Sequence, residues 1–218
     1  MLTISSNDLS NYFPAIIQII YGRLDDASLS EAFKLRLVRF YHLVSALTEP
    51  ERGYGADYFI AASNKVQDGA FVPLYLKVIL PLTRQLVKPL DRKAAAISLT
   101  KTIANSERFA NRYAKGWTLT CETLIVLLEN APVIAADDAA VVEQDVDDLA
   151  FGVGFTQLNT CRRQPRDLWP EIKDVRSWVG QYYKSSTFVA ADGSKPADWL
   201  STRLSPEVGQ KFVEYLRM

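Results

Sequence analysis

Apolar residues recur at intervals of three and four from Leu9 to Leu128. One stripe holds Leu9, Phe13, Ile16, Ile20 and Leu24, and a second holds Leu29, Phe33, Leu37, Phe40, Val44 and Leu47. A third runs through Phe71, Tyr75, Val78, Leu82 and Leu86, and a fourth through Trp117, Cys121, Leu124 and Leu128. Side chains at this spacing share one face of an α-helix. The strict alternation of a half-buried strand is absent, and the Asp68-Gly69 pair joins two helical patterns rather than two strands. The chain is therefore expected to be all-α, with helices near 11–24, 28–47, 56–67, 71–88, 91–105, 116–129, 172–184 and 206–217.

The punctuation supports these boundaries. Pro14 and Pro73 fall where a first helical turn is predicted, and a missing N–H costs nothing there. Gly69 can take the left-handed conformation that ends a helix. Asp91 is placed to cap the helix that follows it by accepting from free N–H groups. Ser205, Pro206 and Glu207 open the last helix as N-cap, first residue and first-turn acid. Pro81 lies inside a pattern and should kink or break its helix.

Short connections and wide apolar surfaces favour a stack over an isolated bundle. In 71–88, Val72, Leu76, Leu80 and Val87 form a second apolar row, as in a helix buried on two sides. The expected architecture is an α-solenoid of stacked antiparallel hairpins, of HEAT type and superhelical like ARM repeats. Residues 71–105 read as one such unit, with a Pro-bearing first helix, an Asp in the turn and small apolar residues in the second. Strict alternation leaves open whether 71–88 is a first or a second helix, and so which helices line the concave face. Three parts are expected: helical hairpins over 1–129, an acidic loop and irregular connection over 130–170, and C-terminal helices packing on the solenoid end over 171–218.

Charge narrows the function. Basic and acidic residues number 25 each, so the chain lacks the excess of a nucleic-acid binder. With 48% apolar and 23% charged residues the balance suits a sizeable core and not wholesale disorder. Apolar runs such as 15–21 and 124–128 are far shorter than a membrane span needs. The N-terminus does not read as a secretory signal. Cys121 and Cys161 read as reduced thiols. No membrane insertion and a monomeric state are expected.

Catalytic signals are weak. His42 lies within a helical stripe, with no Asp, Cys or second His at relay or ligand spacing, so it reads as a packed or surface histidine. Asp25-Asp26 and Asp137-Asp138 lack the last residue of a DDxxD metal-diphosphate motif. Phosphate-cradling glycine loops and a GxSxG elbow are absent. The tryptophans are scattered, with Trp117, Trp169 and Trp178 on or beside apolar stripes, and read as core. No catalytic residue, metal or cofactor is expected.

The segments GADYFIAASNKVQDGAF (55–71), LKVILPLTRQLVKPLDRKAAAISLTK (76–101) and FGVGFTQL (151–158) resemble the C-terminal region of the importin-α re-exporters, the CAS/CSE exportins of the karyopherin-β superfamily. The resemblance runs from about residue 9 to the C-terminus. It implies a segment of a longer HEAT solenoid that carries importin-α together with Ran-GTP and shuttles between nucleus and cytoplasm. It also implies that the repeats that first grip Ran lie outside this chain, that Met1 was introduced as a start, and that a further repeat packs on residues 11–24. Protein contacts are expected at rim charges: Asp68, Arg92 and Lys93 at helix ends, and Asp145, Asp147 and Asp148 in an exposed acidic loop. Other readings of the residues are a different karyopherin, a phosphatase-type HEAT scaffold, or a helical enzyme.

Overall fold

A computed structural model describes residues 6–24, 30–47, 54–130 and 167–217. The chain forms two compact units, residues 1–130 with 172–218 and residues 131–171. Among the described residues every regular element is helical.

In the first unit the helices are α1 (Ser6–Leu24), α2 (Glu31–Ala46), α3 (Ala56–Val66), α4 (Phe71–Leu74), α5 (Leu80–Thr83), α6 (Pro89–Asn105), α7 (Glu107–Ala110) and α8 (Ala114–Glu129). They continue as α9 (Val175–Ser185), α10 (Pro196–Thr202) and α11 (Pro206–Arg217). A π-helical turn, Tyr75–Ile79, joins α4 to α5. Gly69 does take the left-handed conformation, with φ of 74°, between α3 and α4.

Two rows account for the packing. In one, α2 packs on α6, α6 on α9, and α9 on α11. In the other, α1 packs on α3, α3 meets α4, and α5 packs on α8. The rows meet where α2 touches α3 and α5, where α6 touches α8, and where α8 touches α11. The α4–α5 segment shares a row with α3, and α6 lies in the other.

Aromatic rings make the core between the rows. Phe59 of α3 meets Tyr41 of α2 edge-on at 5.1 Å, Phe71 stacks on Tyr75 at 5.1 Å, and Tyr75 meets Phe109 of α7 at 5.2 Å. Phe13 of α1 and Trp117 of α8 are fully buried, and the Trp117 indole N–H donates to the Ile103 carbonyl at 2.9 Å. The fourth predicted stripe, Trp117, Cys121, Leu124 and Leu128, is buried along its whole length.

Several local expectations are corrected. Pro14 lies inside α1, not in its first turn, because the helix begins at Ser6. Its ring removes one helical hydrogen bond at that point. Pro81 does not break its helix. The π turn before it lets the Leu80 N–H reach back to the Tyr75 carbonyl, and the helix continues through the proline. The wider turn holds one extra residue, so the buried face moves from Val78 and Leu82 to Ile79 and Thr83. Both of these are fully buried, while Val78 and Leu82 are half-buried. The second apolar row is not covered along its length, since Leu76 is 38% exposed and Val87 59% exposed. Asp91 is not an N-cap. The helix begins at Pro89, and the Asp91 carboxylate instead accepts from the Arg39 Nε of α2 at 2.5 Å.

Candidate partner-binding surface

Asp68 lies in the turn after α3, whereas Arg92 and Lys93 are neighbours in the first turns of α6, and the three differ in environment. Asp68 is well exposed and faces Arg112 across 3.9 Å. Lys93 is half-buried. Arg92 departs from the rim-charge expectation. Its guanidinium donates to the carbonyls of Leu86, Leu127 and Asn130, closing the C-terminus of α8. Partial burial lowers the pKa of that guanidinium. Asp145, Asp147, Asp148 and the predicted acidic loop lie outside the described residues.

Other basic side chains do similar work. The Arg176 guanidinium donates to Leu128 O at 2.6 Å, Lys101 Nζ to Ala46 O at 2.6 Å, and Arg203 to Ala110 O at 3.0 Å. Each meets carbonyls near a helix end, where partial negative charge gathers. The Arg203 plane also lies over the Trp199 ring at 4.1 Å, which seats α10 beside Trp117. Sequence reading missed α7 and α10, because neither has a helical repeat long enough to show. Asp57 fixes α7 by accepting from the Glu107 N–H at 2.9 Å and from the Ser106 hydroxyl.

His42 is the one buried histidine, and its hydrogen bonds define its state. The Thr83 hydroxyl donates to the Ile79 carbonyl at 2.6 Å, so it must accept from His42 Nε2–H at 2.7 Å. Nδ1 then accepts from the Ser98 hydroxyl at 3.1 Å. Burial lowers the ring pKa to about 3, which keeps it neutral at physiological pH. The arrangement welds α2, α5 and α6 and presents no proton to a substrate. Burial likewise raises the Cys121 thiol well above its ordinary range, so it is not a nucleophile at neutral pH. Among the described residues no group of His, Cys, Asp and Glu could hold a metal ion, and no helix is long and apolar enough to cross a membrane.

What remains open to a partner is surface. From Pro73 to Lys88 the exposed side is a ridge of Pro73, Leu76, Lys77, Pro81, Arg84, Gln85, Val87 and Lys88. On α1, Tyr12 and Ile19 are 69% and 67% exposed, while Phe13 and Ile17 face inward. Sequence reading put Leu76 and Val87 in the core and so did not mark the ridge. Its available signal was the stretch from Gly69 to Leu90, which contains lysine and arginine but no acid.

Comparison with known proteins gives one consistent result. The family described as CAS/CSE protein, C-terminus, matches residues 1–215. The Importin-alpha re-exporter of Schizosaccharomyces pombe is 28% identical over 180 residues, covering 80% of this chain and 18% of that protein. The Importin alpha re-exporter of Saccharomyces cerevisiae is 29% identical over 186 residues, covering 84% of this chain and 18% of that protein. Exportin-2 of Drosophila melanogaster is 28% identical over 157 residues, 70% of this chain and 16% of its own length. The chain thus spans about a fifth of the length of the curated relatives it matches. Among solved structures, the exportin Cse1 in its cargo-free, cytoplasmic state aligns with a TM-score of 0.71 and 24% identity, covering 99% of this chain and 21% of that one. At that identity the likeness speaks for the fold, an α-solenoid of HEAT type.

Proposed function

The chain belongs to the CAS/CSE family, and from that membership we propose that it works as the C-terminal solenoid segment of a nuclear export receptor whose cargo is importin-α. The single observation that carries the reading is the family match across residues 1–215, laid on a two-row helical stack. Ran-GTP as co-ligand and shuttling between nucleus and cytoplasm belong to the same proposal. So does a binding role rather than an enzymatic one, supported by the neutral, inward-facing His42 and the buried Cys121.

The proposal keeps a three-part organisation: helical repeats through 129, an acidic connection over 130–170, and terminal helices over 171–218. It also keeps the six charged candidates. Asp68 offers the most accessible of their described carboxylates and ammonium groups. Arg92 supports the surface by closing α8.

A solenoid binds through contacts spread over many repeats, and affinity falls steeply when only some of them remain. The isolated chain should therefore bind importin-α weakly or not at all, and Ran-GTP should not strengthen it. The decisive experiment places this chain in the S. pombe re-exporter in exchange for the matching segment. Retained Ran-GTP-dependent capture of importin-α supports the proposal. A folded chimera that binds Ran-GTP but no longer captures importin-α would sink it.

A further inference from the structure

The exposed side of 71–88, formed by the α4–α5 segment and the link to α6, is both apolar and cationic. It is apolar at Pro73, Leu76, Pro81 and Val87, with Leu76 38% and Val87 59% exposed. It is also cationic at Lys77 and Arg84. Gly69 to Leu90 holds no carboxylate. The acids that flank this stretch are engaged elsewhere, Asp68 with Arg112 and Asp91 with Arg39. Arg84 does bond across to α8, but to the neutral Thr123 hydroxyl at 3.1 Å, so its charge is not cancelled there.

We propose that this ridge docks an acidic amphipathic helix of a protein partner, whose carboxylates meet Lys77 and Arg84 while its apolar residues cover Leu76 and Val87. The choice of occupant follows from charge and shape. Pro73 to Arg84 spans about 16 Å at helical rise, the length of three helical turns. A second copy of the chain is disfavoured, since an isologous contact would set cation against cation. A nucleic acid would find few cations and no aromatic ring to stack on. This inference does not depend on importin-α being the cargo.

The test uses the full chain and a labelled synthetic helix carrying Leu and Glu at three-four spacing with no basic residue. A Ser-for-Leu version of equal charge serves as the control probe. Fluorescence anisotropy should show saturable binding of the Leu/Glu helix and much weaker binding of the Ser/Glu one. Lys77→Glu with Arg84→Glu should weaken binding about tenfold, and Lys77→Glu alone about threefold, with both effects shrinking at high salt. Leu76→Ser should weaken binding without altering its salt dependence. Lys77 and Leu76 are exposed, so those single variants keep the fold even if the Arg84 change disturbs α8. Equal binding of both probes would reduce the ridge to a general polyanion patch and overturn the proposal. So would indifference to Lys77→Glu, or sedimentation showing self-association that Leu76→Ser abolishes.

Discussion

Gly180→Ala should loosen the terminal helix by adding one methyl group. Gly180 lies within α9, where it meets the backbone of α11. A Cβ there would stand 2.0 Å from the Tyr215 carbonyl oxygen and 2.8 Å from its carbon. A carbon reaches a carbonyl oxygen comfortably at about 3.3 Å, so α11 must withdraw by roughly 1.3 Å. The obstacle is backbone, and no rotamer can relieve it. Overpacking of this kind costs about 1–3 kcal/mol. If α11 lifts off instead, the fully buried Phe212 and the nearly buried Tyr215 lose their sites, along with the bond from the Tyr215 hydroxyl to Glu129. At roughly 1.5–3 kcal/mol for each large side chain, that loss is about 3–6 kcal/mol. Better helix propensity returns up to about 1 kcal/mol. The cheaper route governs, so a net destabilisation of about 1–2 kcal/mol follows, worth about 2–8 °C in melting temperature for a chain of this size. Urea titration gives the global value, and amide exchange should show α11 opening first. Gly22→Ala, where nothing lies within 4 Å, is the matched control and should be neutral or slightly stabilising. Equal midpoints for Gly180→Ala and the unaltered chain would refute the close crossing of α9 and α11.

Acid should strip away the contribution of His42. Its ring titrates near 3 in the fold against about 6.5 unfolded, so the unfolded state takes the proton first as pH falls. The contribution is complete above about pH 6.5, has lost roughly 2–3 kcal/mol by pH 4.5, and goes on shrinking toward pH 3. His42→Gln should flatten this limb, and an equal stability gap between the two proteins at pH 7 and 4.5 would contradict the buried neutral ring. Ile79→Ala should cost about 2–5 kcal/mol and the half-buried Leu82→Ala clearly less. The reverse order in urea midpoints would refute the shift made by the π turn. Arg39 and Asp91, both only partly exposed, should show a coupling of about 0.5–1 kcal/mol in a double-mutant cycle. Zero coupling would return Asp91 to a purely local role.

The helical rows were legible in the sequence wherever one repeat dominated its neighbours. Trp117, Cys121, Leu124 and Leu128 face inward because α8 is regular and nothing interrupts its period. In the α4–α5 segment the same logic slipped by one residue after Tyr75. A π turn adds a residue without adding a turn, and periodicity cannot see an insertion that keeps the chain helical. Asp91 misled for a related reason. Its type and place suit a cap, but Pro89 opens the helix two residues earlier, and Arg39, 52 positions away, claims the carboxylate. As for the binding surface, Leu76 and Val87 look like core in any hydropathy reading. Their exposure is decided by which helix lies opposite, and composition does not encode that. Arg92 read as a rim charge because two of its three carbonyl acceptors lie 35 and 38 residues away.

The closing of α8 also bears on cooperativity. In a solenoid held only by neighbour-to-neighbour contacts, each repeat can melt on its own. Here the last carbonyls of α8 receive Arg92 from one side of the sequence and Arg176 from the other, and Glu129 beside them receives the Tyr215 hydroxyl. Losing the terminal helices would therefore leave Leu128 without the Arg176 guanidinium and weaken a helix formed some fifty residues earlier. The boundary of the folding unit in this stretch is drawn by side chains that reach across repeats, and it does not coincide with the repeat itself.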